Sequence, residues 1–420
     1  MSARRPEVDL SDLLERVGEG AARHRERRPG EPGGRQPLHT LYVPADRFDE
    51  RTTSEFGAEA LRLLGRHAAD GAAIALAFEV DARVAEPTRA RVEAKLRREP
   101  VEDVRIDFED GYGVRPDEDE DRDAERTAAA VLASRRDGSL PPFVGVRVKS
   151  FADGGEARSL RTLARFLGTL TDGAAALPEG FAVTFPKVVT SEHVAIFAEA
   201  LGRLESGLGL GEGTLRMEVQ VETPPSVLDD EGTVAAPRIV EAAGGRLAGM
   251  HFGVFDYTAS LGLMPWEQRL DHPANDFARF AIQVALAGTG VRVSDGSTNV
   301  VPASDETRDV RAAWRVHASH VRHSLESGFV QGWDLHPSHL VSRYATVYGW
   351  LLPHLDDAVT RVRAWRERSA AAEGVLDEPA TVSSLLRYLR FVVSSGAAEQ
   401  AEVLERSGLT RDELVPGRAG

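Results

Sequence analysis

From Thr40 onward, short apolar runs alternate with amphipathic stretches. The runs are Thr40–Val43, Val104–Phe108, Val144–Val148, Ala182–Phe185, Met217–Val221, Met250–Phe255, Val291–Ser294 and Gly332–Leu335. Most are apolar on both faces, as strands covered by helices on either side must be. Between them, Val194, Phe197, Leu201 and Leu204 recur at helical spacing. So do Phe277, Phe280 and Val284, and later Val310, Trp314, Val321 and Leu325. Alternating strands and helices imply parallel pairing with right-handed crossovers. Eight such strands predict an α/β fold, a (β/α)8 TIM barrel. A ninth apolar run, Ala73–Val80, also reads as a strand. We assign it to an insertion after the first barrel strand, at about residues 47–100.

The flanks differ. Residues 1–37 hold a short helix, Ser11–Val17 with Ser11 as its cap, and then a linker rich in proline and glycine. The barrel is expected over 38–344. Residues 345–420 read as a helical appendage, with Leu385, Leu386, Leu389, Val392 and Val393 on one face.

Charge and composition narrow the function. The net charge of −15 argues against nucleic acid and anionic membrane surfaces as partners. The absence of cysteine excludes disulfides, thiolate catalysis and Cys-ligated zinc. No apolar run reaches the ~20 residues of a membrane span, and the N-terminus lacks the apolar core of a signal peptide. A cytoplasmic enzyme is expected. Only three of the 51 basic residues are lysines, Lys95, Lys149 and Lys187, and two of these sit at strand ends.

In such barrels the chemistry lies at the C-terminal ends of the strands. Glu222 and Asp256 end two neighbouring runs. As hard oxygen ligands without an adjacent histidine pair they suit Mg²⁺ or Mn²⁺, with water and substrate completing the shell; the structural alternative is a salt bridge from each to a barrel arginine. Arg147, in VGVRV, points inward and can stabilise an enolate or carboxylate oxygen. Glu109 and Asp110, in RIDFEDGYG, can orient Arg147, bind metal-bound water or serve as a base. Lys187, in FPKVV, is either a Schiff-base lysine or a charge that holds the metal carboxylates. Thr223 and His336 are candidate substrate contacts, the latter equally a turn histidine. His317 reads as a core histidine, Lys149 as peripheral, and Asp117–Asp123 as a solvated loop or helix start.

Taken in order, LYVPAD, RIDFEDGYG, VGVRVKS, FPKVV, VQVETPPSV, HFGVFDYTASLG, DFARFAIQVALAGTGVRVSDG and WDLHPSHL resemble the citrate lyase β-subunit-like and HpcH/HpaI aldolase superfamily, which includes malyl-CoA lyases. The resemblance implies a Mg²⁺-dependent carbon–carbon lyase or aldolase acting next to a 2-oxo acid or acyl-CoA through an enolate. It places metal on Glu222 and Asp256, the substrate oxygen on Arg147, and the family's lysine and histidine at Lys187 and His336. It also implies a homo-oligomer. Departures include His39 and Thr40 in place of an Arg-Ser pair, and Lys149 in place of Asn. Two other readings stand beside it: a metal-free aldolase using Lys187, and a non-catalytic barrel that binds a metabolite or serves as a complex subunit.

Overall fold

The computed structural model describes residues 10–30, 34–152, 154–172, 176–367 and 379–414. Parts of the expected N-terminal arm and helical appendage therefore lie outside the described residues. Eight parallel strands form one sheet: β1 His39–Pro44, β2 Asp103–Asp107, β3 Phe143–Arg147, β4 Ala182–Phe185, β5 Arg216–Val221, β6 Leu247–Phe252, β7 Arg292–Ser294 and β8 Gly332–Asp334. Ladders join each strand to the next from β1 to β7, and β8 pairs with β1. The ring closes past the end of β7. There Asp295 N–H donates to Gln331 O at 2.8 Å, Trp333 N–H donates to Gly296 O at 3.0 Å, and Ser297 bridges Trp333. The architecture is the expected TIM barrel.

Helices fill the connections. Before β1 lies α1 (Ser11–Arg27). Between β1 and β2 lie α2 (Thr52–His67), α3 (Gly71–Phe78) and α4 (Ala82–Arg98). Next come α5 (Asp117–Asp137), α6 (Glu156–Thr171), α7 (Ser191–Leu208), α8 (Pro224–Val227), α9 (Ala236–Ala242), α10 (Val254–Ser260), α11 (Pro273–Leu286) and α12 (Thr307–Glu326). After β8 follow α13 (Pro337–Leu351), α14 (Leu355–Arg366), α15 (Pro379–Ser395), α16 (Gln400–Ser407) and α17 (Arg411–Leu414). Tyr348 donates to Ser395 O and Tyr388 to Leu351 O, which dock the last helices on α13. Among the described residues no helix is long and apolar enough to cross a membrane.

Three local expectations are corrected. Ala73–Val80 is not a strand; most of it is α3. The Asp70 carboxylate accepts from Ala73 N–H at 2.8 Å and starts the helix. Ile74, Ala77 and Phe78 are buried while Leu76 is exposed, which is helical spacing. The first helix runs from Ser11 to Arg27 with Leu10, not Ser11, at its cap. On α11, Phe277, Phe280 and Val284 face outward. The inward face carries Asn275, Ala278, Arg279, Ile282 and Leu286 instead. Arg279 reaches Asp295, just past β7, at 2.9 Å, so a buried ion pair rather than an aromatic stripe seats this helix.

Inside the barrel, inward positions of alternate residues form a polar layer. Arg105 is fully buried and donates to Glu218 at 2.7 Å and Thr184 at 3.1 Å, with Asp103 as a further partner. Glu218 also meets His251 at 3.4 Å. This layer forms the floor on which the strand ends rest.

Candidate active site

Five consecutive strands, β2 to β6, deliver charged groups to one end of the barrel. Asp107, the last residue of β2, receives Arg147 from β3 in a two-pronged ion pair, Nε to Oδ1 and Nη2 to Oδ2, both at 2.7 Å. The same carboxylate accepts the N–H groups of Glu109 and Gly111, each at 2.9 Å. Asp107 therefore fixes both the arginine and the turn after its strand. The third guanidinium nitrogen of Arg147 lies 3.2 Å from Glu109 and 3.8 Å from Asp110. Beneath it lies the Tyr42 ring, 5.0 Å from the guanidinium carbon.

Lys187 follows β4. Its ammonium pairs with Glu109 and with Asp110, the latter at 2.6 Å, and lies 4.0 Å from Asp256. These carboxylates hold its pKa above the usual lysine value. Its backbone is left-handed, at φ +48°. That turn aims its main-chain N–H at Glu222 Oε1, 2.7 Å away.

Glu222 stands one residue beyond β5 and is buried. Its other flank is Gly253, where any Cβ would overlap the Glu222 carboxyl. Among the described residues no arginine forms a salt bridge with Glu222. Burial first, then the charges of Asp256 and Glu109, push its pKa up to about 8. Burial likewise raises Glu109 to about 7, with Asp110 adding to the effect. Asp256 is not at a strand end. β6 stops at Phe252, and Asp256 sits in the first turn of α10, with its side chain partly exposed.

A buried carboxyl facing a second acid, without an arginine of its own, suits a small divalent cation. Two carboxylates plus water and substrate oxygens satisfy Mg²⁺, which keeps several waters. Glu222 and Asp256 would hold it.

The other candidates lie differently. The Thr223 hydroxyl donates to Val188 O, and its backbone and side chain cap α8 with Ser226. His336 caps α13, accepting Ser338 N–H on Nδ1 at 3.1 Å. Among the described residues, neither side chain shares a hydrogen bond or ion pair with the acid–lysine–arginine group. His317 is buried as expected. With Asp334 and His339 it forms the one tight set of three potential metal ligands among the described residues. That set is already satisfied: Arg343 clamps Asp334, Ser342 and Asp334 occupy both nitrogens of His317, and Val300 O and Leu335 N–H occupy those of His339. The acidic run after Asp117 does start a helix, but Glu120 and Asp121 are buried against Arg158, Arg161 and Lys149 rather than solvated.

Two residues escaped the sequence reading. Asp107 was legible as the next inward position after Asp103 and Arg105. Gly253 had no signal beyond its place after a strand.

The profile of the family described as "Domain of unknown function (DUF6986)" matches residues 17–418. An L-malyl-CoA/beta-methylmalyl-CoA lyase from Haloarcula marismortui is 29% identical over 166 residues, which cover 38% of this chain and 43% of the lyase. The match thus spans less than half of that relative's length, and the relative falls within the superfamily that the motifs resemble. Among solved structures, malate synthase from Haloferax volcanii at 3 mM glyoxylate superposes with a TM-score of 0.48 at 15% identity, over 90% of this chain and 99% of that one. Its magnesium/glyoxylate complex gives 0.47 at 16%, over 89% and 98%.

Proposed function

The chain belongs to the DUF6986 family, and we propose that it is a Mg²⁺- or Mn²⁺-dependent enzyme that makes or breaks a carbon–carbon bond next to a 2-oxo acid or acyl-CoA carbonyl. The observation that carries this reading is Glu222. It is a buried carboxyl with no arginine partner among the described residues; burial first, and then the charge of the neighbouring Asp256, raise its pKa, with the Lys187 and Arg147 charges acting in the opposite direction. The lyase relative supports the acyl-CoA class.

A divalent ion bound there supplies a Lewis acid to a carbonyl oxygen. The chain's own groups do the rest. The Arg147 nitrogen that faces Glu109 is the cation that an enolate oxygen would share with that carboxylate, and Asp107 holds the guanidinium plane for it. Glu109, with a pKa near 7, can give or take a proton at neutral pH, while Lys187 keeps Glu109 and Asp110 together. A Schiff base on Lys187 is disfavoured, because an ammonium held by two carboxylates is not a nucleophile.

The test is turnover of L-malyl-CoA by protein stripped with EDTA. The expected result is loss of activity and its return with Mg²⁺. Full turnover in EDTA, or borohydride trapping of pyruvate on Lys187, overturns the reading.

A further inference from the structure

Lys149 lies two residues beyond the end of β3 and touches none of the site's carboxylates. Its ammonium has three N–H donors and meets three oxygens: Phe108 O at 2.7 Å, Gly113 O at 3.0 Å and Glu120 Oε2 at 3.4 Å. The two carbonyls are the opposite ends of the turn that carries Glu109 and Asp110. Within that turn, Tyr112 and Gly113 N–H both return to Glu109 O, at 3.1 and 2.8 Å. Asp107 grips the same turn from the barrel side through Glu109 and Gly111 N–H.

The lysine is itself held. Glu120 is fully buried on α5, where its other oxygen accepts from Thr162 at 2.6 Å. Val148, the residue before Lys149, donates its N–H to Thr184 O at 3.2 Å. The ammonium also lies over the Tyr112 ring, 5.4 Å from its centroid. Without Lys149, Phe108 O and Gly113 O lose a shared charged donor, and the turn is left with its barrel-side anchor, the Tyr112 hydroxyl bond to Asp123 and the ion pairs of Glu109 and Asp110 with Lys187 and Arg147.

We propose that Lys149 is a positioning residue: by clasping both ends of the Phe108–Gly113 turn it fixes where Glu109 and Asp110 meet Lys187 and Arg147. The inference deepens the proposed function and rests on it for its catalytic meaning, but the geometric claim can be tested without turnover.

The chain supplies its own probe, because Lys149→Met leaves Lys187 and the buried Lys95 as the only lysines. The folded full-length protein is acetylated with an N-hydroxysuccinimide ester, and modification at each lysine is followed by mass spectrometry. Lys187 is expected to react about tenfold faster in Lys149→Met than in wild type, with Lys95 unchanged. Amide exchange is expected to rise about tenfold at Tyr112 and Gly113 and to stay the same in β3 and β4. Lys149→Gln, whose amide keeps two donors on a shorter stem, is expected to fall between wild type and Lys149→Met and serves if the methionine variant does not fold. Wild-type reactivity at Lys187 overturns the proposal. So does an equal rise at Lys187 and Lys95, which means general loosening. Failure of the lyase reading shows separately, as absent Mg²⁺-dependent turnover in the wild type.

Discussion

Lys187 donates its main-chain N–H to Glu222 Oε1 at 2.7 Å from a backbone turned to φ +48°. A side chain in that region costs roughly 1–2 kcal/mol that glycine does not incur. Lys187→Gly and Lys187→Ala both remove the ammonium, but glycine keeps the aim of the N–H without strain. The glycine variant is expected to be more stable than the alanine variant by about 1 kcal/mol in urea unfolding, the reverse of the order at an ordinary position.

Glu222→Gln and Asp256→Asn are expected to abolish Mg²⁺ binding in isothermal titration while leaving the far-ultraviolet spectrum unchanged. Activity should fall more than ~100-fold in each, since loss of even an outer partner of a metal site costs roughly 10- to 100-fold. Gly253→Ala should weaken Mg²⁺ binding as well, because its Cβ would displace the Glu222 carboxyl.

The pH dependence of stability has a defined sign. Glu222 has a pKa of about 8 in the folded protein, against an ordinary 4.5. Between those values the folded chain holds a proton that the unfolded chain has released, so stability falls as pH rises from about 4.5 to 8. In EDTA, the wild type should lose on the order of a few kcal/mol relative to Glu222→Gln across that window. Mg²⁺ should reverse the loss in wild type alone. Thermal melts at pH 5, 6, 7 and 8 provide the measurement.

Asp107→Asn leaves the buried Arg147 charge without its two-pronged partner. Breaking a buried pair in this way costs about 3–5 kcal/mol, so a clear drop in the chemical-denaturation midpoint is expected. Asp107 also orders the Glu109 turn, and Mg²⁺-dependent activity should fall with it.

The strands were readable because apolar residues recur along each one, on the face that the helices cover, and all eight runs overlap observed strands; the inward face of several carries buried polar residues such as Arg105 and Glu218 instead of apolar ones. The same signal misled at α3, where an equally apolar run forms a helix. A short apolar run does not declare its period, and Asp70 was the deciding residue. On α11 the bulkiest side chains marked the solvent face, because Arg279 and Asn275 take the buried positions with partners that no local pattern reveals. In the site, Arg147, Glu109, Asp110 and Lys187 are gathered as one charged group. Asp256 approaches it from a helix rather than a strand, and Lys149 acts through main-chain carbonyls, which leave no trace in composition.

The barrel's hoop of hydrogen bonds is uneven around its circumference. Seven ladders link neighbouring strands, while the join between β7 and β8 depends on a loop bridge at Ser297 and two main-chain hydrogen bonds beside it. The groups gathered at the mouth all come from the arc β2 to β6. A thermal fluctuation that parts the hoop at its thinnest point therefore opens a gap beside β7 and β8, while the acids, the lysine and the arginine keep their spacing.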